Sequence, residues 1–525
     1  MTPMPAEAPA AAGGPQSLPF SDAASCKLWL EQVLHSSVTD CHGALFHAVG
    51  QLPRSPLRPA VKLESLELMR ETVALVQFEH ARRCRGKPVP LDAGERAVWE
   101  SVVALWQAMA AAYESLIADM AGAAPELAGA APLVCQRALR YTGLAMAEHG
   151  RAYHAVTGAL WRQLHRLYVF AESAGIATTE VGDAVGRFEP ATSCAATYVR
   201  ALLAQQAQPD ALTLQQMGCV EHWLDRWERL VEVSPQPPPA SAIPALAVDL
   251  TSSKGIGFAK DMPATGVRHL HLEALARTLR HAAVALKQGR TPAELGLGDL
   301  PADACEKLLL LLNIQWCAAG TGRLDERTPS GIRVMIFPSI RSIHYHLTGR
   351  PFRQPGGAGQ GEPVTLTQRS EAMETWLVVN RSVSGFLGLS RDPRTATRVS
   401  HSQLLGLQAP ATKNLYLGIV QRLVVDEDGG IWAGMRLVPG IPQPAAARVA
   451  DIATADPDAV KFDRALLLPE DSPRRIPTSI ILQPGWYQVN RILDLHTGPA
   501  QKIRLRMVLD AGPNFERAGY AVIGS

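Results

Sequence analysis

The stretch Thr375-Trp376-Leu377-Val378-Val379-Asn380-Arg381-Ser382-Val383-Ser384-Gly385-Phe386-Leu387-Gly388-Leu389-Ser390 decides the reading of the C-terminal half of this chain. An apolar, partly β-branched run enters a short polar bend, and a second apolar run follows at once, which predicts a strand, a turn and a strand. The Asn380 amide offers both a donor and an acceptor, Ser382 a small hydroxyl, and Gly385 a place where backbone passes close to another group. Such a turn suits a planar, polar partner. Read without context, the same residues are ordinary hairpin residues.

The context begins upstream with Arg323-Leu324-Asp325-Glu326-Arg327, placed just before the strand-like Ile332 to Phe337. Alone, two arginines flanking Asp325 and Glu326 read as a surface ion-pair cluster. The chain has similar pairs at Arg162/Arg166 and Arg394/Arg398, so order carries the signal. Downstream, Ser402–Leu407, Asn414–Leu423, the acidic turn Asp426–Gly430 and Ile431–Leu437 form a closing meander.

An arginine pair before a first strand, N-x-S-x-x-G in a later strand and turn, and that meander resemble the PilZ domain. This is the bacterial receptor module for the second messenger cyclic di-GMP, and the likeness covers Arg323 to about Pro439. The resemblance implies a small antiparallel β-barrel over 321–440 with cyclic di-GMP as ligand and no other cofactor. It also implies that Arg323 and Arg327 grip phosphate and guanine while Asn380, Ser382 and Gly385 line the other side. The chemistry fits, since a guanidinium fork pairs with phosphate or with the guanine edge and stacks on a purine. One departure is the roughly fifty residues between the arginine pair and Asn380, more than the family pattern has, with the Gly- and Gln-rich 350–363 between them.

Length and composition bound the rest. At 525 residues the chain divides into three or four units. A net charge of +2 with 19% charged residues excludes the polycationic character of bulk nucleic-acid binding, so no DNA partner is expected. The eight cysteines occur singly without C-x-x-C spacing, which argues for reduced thiols rather than a disulfide framework or zinc knuckle. The first twenty residues lack a signal peptide's basic start and apolar stretch, and no apolar run reaches membrane-spanning length. A cytoplasmic protein without a membrane span is expected.

The fold class that results is multidomain α+β, with an N-terminal all-α helical bundle and a C-terminal PilZ-like barrel beside an adjoining α/β or β unit. Residues 1–20 are expected to be disordered. From 21 to 233 apolar residues recur at three and four, starting from a cap at Ser21-Asp22, and Asp92 caps a later helix. Trp161, Tyr168, Trp223 and Trp227 share this spacing and are expected in the core. The Pro-rich 234–244 is a linker. Residues 245–320 are mixed α/β, and their Asp249–Gly255 bend imitates the Asn380 turn but is read as a structural hairpin. Residues 441–475 read as a connector and 476–525 as further strands, expected to pair with the hairpin near Asp249.

These readings make the chain a cyclic di-GMP-binding signalling receptor whose helical domain engages an unidentified protein partner. Two rivals stay open. One is a structural adaptor without ligand. The other is a metal-dependent enzyme using His269/His271 or His344/His346, each pair spaced to share one face of a strand, although no ordered catalytic motif accompanies them.

Overall fold

The computed structural model describes residues 18–523 except 122–124, 186–190, 240–242, 319–325, 356–373, 392–396, 411, 451–460, 472–475 and 499. Among the described residues, eight α-helices build the N-terminal unit: α1 (Ala23–Val33), α2 (Val38–Gln51), α3 (Pro59–Ala81), α4 (Ala93–Ala121), α5 (Ala131–Arg151), α6 (Gly158–Ser173), α7 (Cys194–Gln206) and α8 (Leu214–Trp227). Their starts follow from side-chain caps. Asp22, Ser37, Thr157, Ser193 and Thr213 each accept from a backbone N–H of the first turn, and Asp92 exchanges hydrogen bonds with Glu95 at the start of α4. Trp161, Tyr168, Trp223 and Trp227 are all buried. Phe20, assigned above to a disordered stretch, is also buried and packs 5.6 Å from Trp29; residues 1–17 lie outside the described residues.

Buried carboxylates pin these helices together. Asp183 is enclosed by Arg70, Arg137 and Arg140, and Glu148 by Arg85 and Arg151. Burial alone raises the pKa of both carboxyls, but the arginines outweigh it and hold both below the ordinary range. Residues 93–120 of α4 are long and apolar enough to cross a membrane, yet half of that apolar window is buried inside the protein.

After α8 the chain forms a four-stranded antiparallel sheet in the spatial order Glu232–Ser234, Val267–His271, Leu246–Asp249, Gly257–Phe258, followed by α9 (Glu273–Lys287) and α10 (Ala302–Cys317). Asp249 Oδ1 accepts from Thr251 N at 2.9 Å and from the Thr251 hydroxyl at 2.7 Å, which makes its bend a self-closed turn. Among the described residues this sheet takes no strand from 476–525, whose strands pair in a separate closed barrel, so the expected pairing is overturned.

Six strands, Arg333–Phe337, Glu374–Arg381, Gly385–Ser390, Leu404–Gln408, Tyr416–Val425 and Ile431–Val438, close a first barrel, and Thr328–Pro329 extends it beside Glu374–Arg381. Closure comes from Gly385–Ser390, which pairs antiparallel with both Glu374–Arg381 and Ile431–Val438. A second six-stranded closed barrel follows, built from Gln443–Val449, Asp463–Leu468, Ser479–Leu482, Ile492–His496, Ala500–Gly512 and Phe515–Ile523. Two of its strands fall within 441–475. The connector reading there fails because Ala- and Pro-rich QPAAARV carries little β signal, although small residues pack well inside a narrow barrel.

Between the barrels lies α11 (Ile340–Thr348), whose Ile340 and Ile343 join a cluster with Phe337, Leu417, Leu466 and Phe515. The helix also corrects the histidine reading. His344 and His346 sit two residues apart on a helix, where they point in different directions instead of sharing a face. His346 bonds Gln408 at 2.8 Å. Among the described residues no group of three or more His, Cys, Asp or Glu side chains is placed to hold a metal ion.

Two buried histidines, His42 and His344, and the half-buried His154 give the fold a pH dependence. Burial is the main cause that lowers His42, His154 and His344 to about 4. The unfolded chain takes up these protons near pH 6.5 and the folded chain does not, so stability falls as pH drops below 6.5. Each histidine then removes on the order of 1–2 kcal/mol between pH 6.5 and 5, above the range where the arginine-held carboxylates titrate. Urea unfolding midpoints are expected to be clearly lower at pH 5 than at pH 7; equal midpoints would contradict this.

Candidate ligand-binding site

The Asn380 turn joins two barrel strands with an irregular register. Arg381 pairs with Phe386 and Asn380 with Leu387, but Val378 already pairs with Gly388, which leaves Val379 as a bulge. A second bulge lies on Tyr416–Val425 at Gln421, between the pairs Val420–Met435 and Arg422–Gly434, and leaves Gln421 and Arg422 both exposed. Bulges re-aim side chains. These two flank one cleft.

That cleft has a volume of about 580 Å³ and lies on the outer face of the barrel, within the ~300–1,000 Å³ of small-ligand sites. One side is formed by Arg327 and by Ser382, Ser384 and Gly385 of the turn, the other by Arg422, Val424, Trp432 and Arg436. Of the sequence-predicted residues, Arg327, Ser382 and Gly385 line it directly. Asn380 stands behind Arg327, whose Nη1 donates to Asn380 Oδ1 at 3.5 Å, a long bond. Arg323 lies outside the described residues. The antiparallel pairs Thr328–Arg381 and Pro329–Asn380 bring the arginine segment to the turn despite their distance in sequence.

Within the turn, Ser382 N donates to Gly385 O at 2.7 Å and its hydroxyl to the same oxygen at 3.3 Å, so the bend is partly self-bonded. Glycine at 385 is required by the adjacent strand, because a Cβ there would strike the Met435 carbonyl oxygen. Close approach is thus real at this position, but strand closure is what demands it.

Three residues that the sequence reading did not single out complete the cleft. The partly buried Trp432 presents an indole whose Nε1 donates to Asp426 Oδ2 at 2.7 Å, while Asp426 Oδ1 accepts from Asp428 N and Gly430 N. One carboxylate therefore shapes the acidic turn and fixes a stacking surface. Arg436 Nη2 donates to Asp510 Oδ1 of the second barrel at 2.5 Å, and Arg422 pairs with Asp210 of the helical domain. Arg327 makes no ion pair among the described residues. The cleft thus combines three guanidiniums with an aromatic plane, a set able to hold phosphates and a purine ring.

A second groove, of about 460 Å³, crosses the helical domain beside Arg85, Arg140, Arg151 and Arg200. Each of these arginines faces a carboxylate: Glu148, Asp183, Glu221 or Asp225. Its charges are committed to structure.

Barrel, turn and arginine segment together define a PilZ-like receptor fold. Comparison with known proteins gives the particular family. The model described as "Cyclic-di-GMP receptor FimW, N-terminal domain" matches residues 24–238, and the "FimW C-terminal beta-barrel domain" matches 449–523. The two cover more than half of the chain, which belongs to the FimW family. A relative, cyclic-di-GMP receptor FimW of Pseudomonas aeruginosa, is 21% identical over 343 residues, spanning 65% of this chain and 56% of the relative. The family therefore extends beyond the C-terminal half to which the resemblance was confined, taking in the helical domain and the second barrel.

Gly385→Ala is expected to destabilise the protein by roughly 1–3 kcal/mol through overpacking against the Met435 carbonyl. Gly429→Ala supplies a contrast, since nothing lies within 4 Å of a Cβ there and its cost comes from a φ of +82° alone. Urea unfolding measures both, and a Gly385→Ala variant as stable as the natural chain would contradict the packing assigned here.

Proposed function

We propose that this chain is a cyclic di-GMP-binding signalling receptor and that the ligand lies in the barrel cleft, with the helical domain passing the signal to a protein partner. One observation carries the reading: Arg327, the turn from Asn380 to Gly385, and the Trp432 plane converge on a single cleft of suitable volume. Cyclic di-GMP presents two phosphodiesters and two guanines. Arg327 and Arg436 supply forks for phosphate or guanine O6 and N7, Trp432 a face for one base, and the turn's hydroxyls and amide groups meet its edges. Arg323 joins this set by resemblance.

The reading is of a binding protein and not an enzyme. The cleft is lined by arginines, serines, apolar groups, Gln421 and Asp426, whose carboxylate is committed to the Trp432 indole and to its own turn, and among the described residues no histidine lines it. The name of the Pseudomonas relative supports cyclic di-GMP as ligand. A cytoplasmic location follows from that ligand's role as an internal messenger.

Titration calorimetry with cyclic di-GMP tests the assignment. Arg327→Ala and Trp432→Ala should each weaken binding by about ten- to a hundredfold, the loss expected for a charge-assisted bond or a base stack worth ~1–3 kcal/mol. Arg166→Ala, on the surface of α6, should leave binding unchanged. Absence of heat with the natural chain would overturn the proposal in favour of a structural adaptor.

A further inference from the structure

The cleft is not built by the barrel alone. Ala155, in the connection from α5 to α6, lines it, and reciprocal main-chain bonds hold this connection to the barrel. Val425 N donates to Tyr153 O at 2.7 Å, and Ala155 N donates to Val425 O at 2.9 Å. A second piece of the helical domain arrives beside it. Asp210, in the 3₁₀ turn Pro209–Ala211 between α7 and α8, accepts from Arg422 Nε on the floor of the cleft.

Asp210 is well covered, at 14% exposure, whereas Arg422 is half exposed, at 51%. The turn that carries Asp210 also packs along Tyr416–Val425, and the His401 ring bonds the main chain of Ala211 within it. Tyr153 donates its hydroxyl to Leu212 O at 3.2 Å and stacks its ring 6.0 Å from His401, the other titratable group facing Asp210. Gln208, just before the turn, has a left-handed φ of +57°. On the barrel side, the pairs Arg422–Gly434 and Val424–Trp432 put Arg422 two positions along the strand from the partner of the Trp432 plane. Arg422 and Trp432 thus line the same cleft on neighbouring strands, within reach of one ligand.

We propose that Arg422 is a further ligand arginine whose anion position is filled by Asp210 when no ligand is bound, so that the dinucleotide phosphate and the helical domain compete for one guanidinium. The proposal rests on the receptor reading above and deepens it by naming how the site is coupled to the helical domain. A carboxylate and a phosphodiester oxygen present the same acceptor geometry to an arginine fork. An ion pair with a half-exposed arginine is weak and gives way to a ligand that also stacks and bonds elsewhere. Releasing Asp210 removes the charged tie of the turn between α7 and α8 and loosens it, and by linkage whatever binds the helical domain with that turn in place must oppose ligand binding to the same degree.

Calorimetry on the full chain and amide hydrogen exchange test this together. Asp210→Asn should tighten cyclic di-GMP binding by about two- to fivefold, the worth of an exposed pair. Arg422→Ala should weaken it by about tenfold or more, and the double variant should behave as Arg422→Ala alone. Exchange across residues 207–213 should quicken on adding cyclic di-GMP to the natural chain and stay unchanged in Arg422→Ala. If binding is present and lost in Arg327→Ala, yet Asp210→Asn binds no tighter and exchange at 207–213 ignores the ligand, the competition is overturned while the receptor reading stands. No binding by the natural chain overturns both. Should Asp210→Asn fail to fold, the exchange measurement on the natural chain decides alone.

Discussion

Main-chain hydrogen bonds between the first barrel and the helical domain govern everything else in this structure. Val89 and Val399 exchange bonds at 2.8 and 2.7 Å, and Val425 makes a similar exchange with Tyr153 and Ala155. Arg398 reinforces the first junction by donating to Pro88 O at 3.0 Å and to Glu95. Barrel groups that would otherwise meet water find their partners in the helical domain. Apolar packing continues across the same seam, for Val399, Leu405 and Val420 share one core with Leu139, Leu164 and Trp223. The cleft consequently opens at a domain boundary, lined by Ala155 as well as by barrel residues.

Within the barrel, the cleft owes its form to two irregularities that close packing enforces. Gly385 lets its strand press against the Met435 carbonyl, while the bulges at Val379 and Gln421 turn side chains outward on either side of Trp432. Asp426 then orients the indole from its own turn. Recognition groups thus sit on rigid strands and tight turns. In the proposed function, that arrangement lowers the ordering cost of binding a flat, doubly charged ligand.

Much of this was legible in the sequence. Periodicity at three and four located the helical domain, and apolar runs on either side of the polar bend at Asn380 located the strand, turn and strand, because each signal is local. Arg327 and Asn380 were recognisable as a pair by order and resemblance, and pairing of Pro329 with Asn380 brings them together across their long separation. Trp432, Arg422 and Arg436 were missed because on an alternating strand an outward residue looks the same whether it faces water or a cleft. The second barrel was half missed, since Ala-rich Gln443–Val449 carries weak strand propensity. Asp210 was beyond reach: its partner is more than two hundred residues away, and only tertiary packing joins them.

A crystal structure of the full chain grown with cyclic di-GMP tests the central claim most directly. The account expects a guanine stacked on Trp432, with a phosphate against Arg327 or Arg436 at the junction of barrel and helical domain. Ligand density in the helical-domain groove beside Arg85 and Arg140, with the barrel cleft empty, would contradict it.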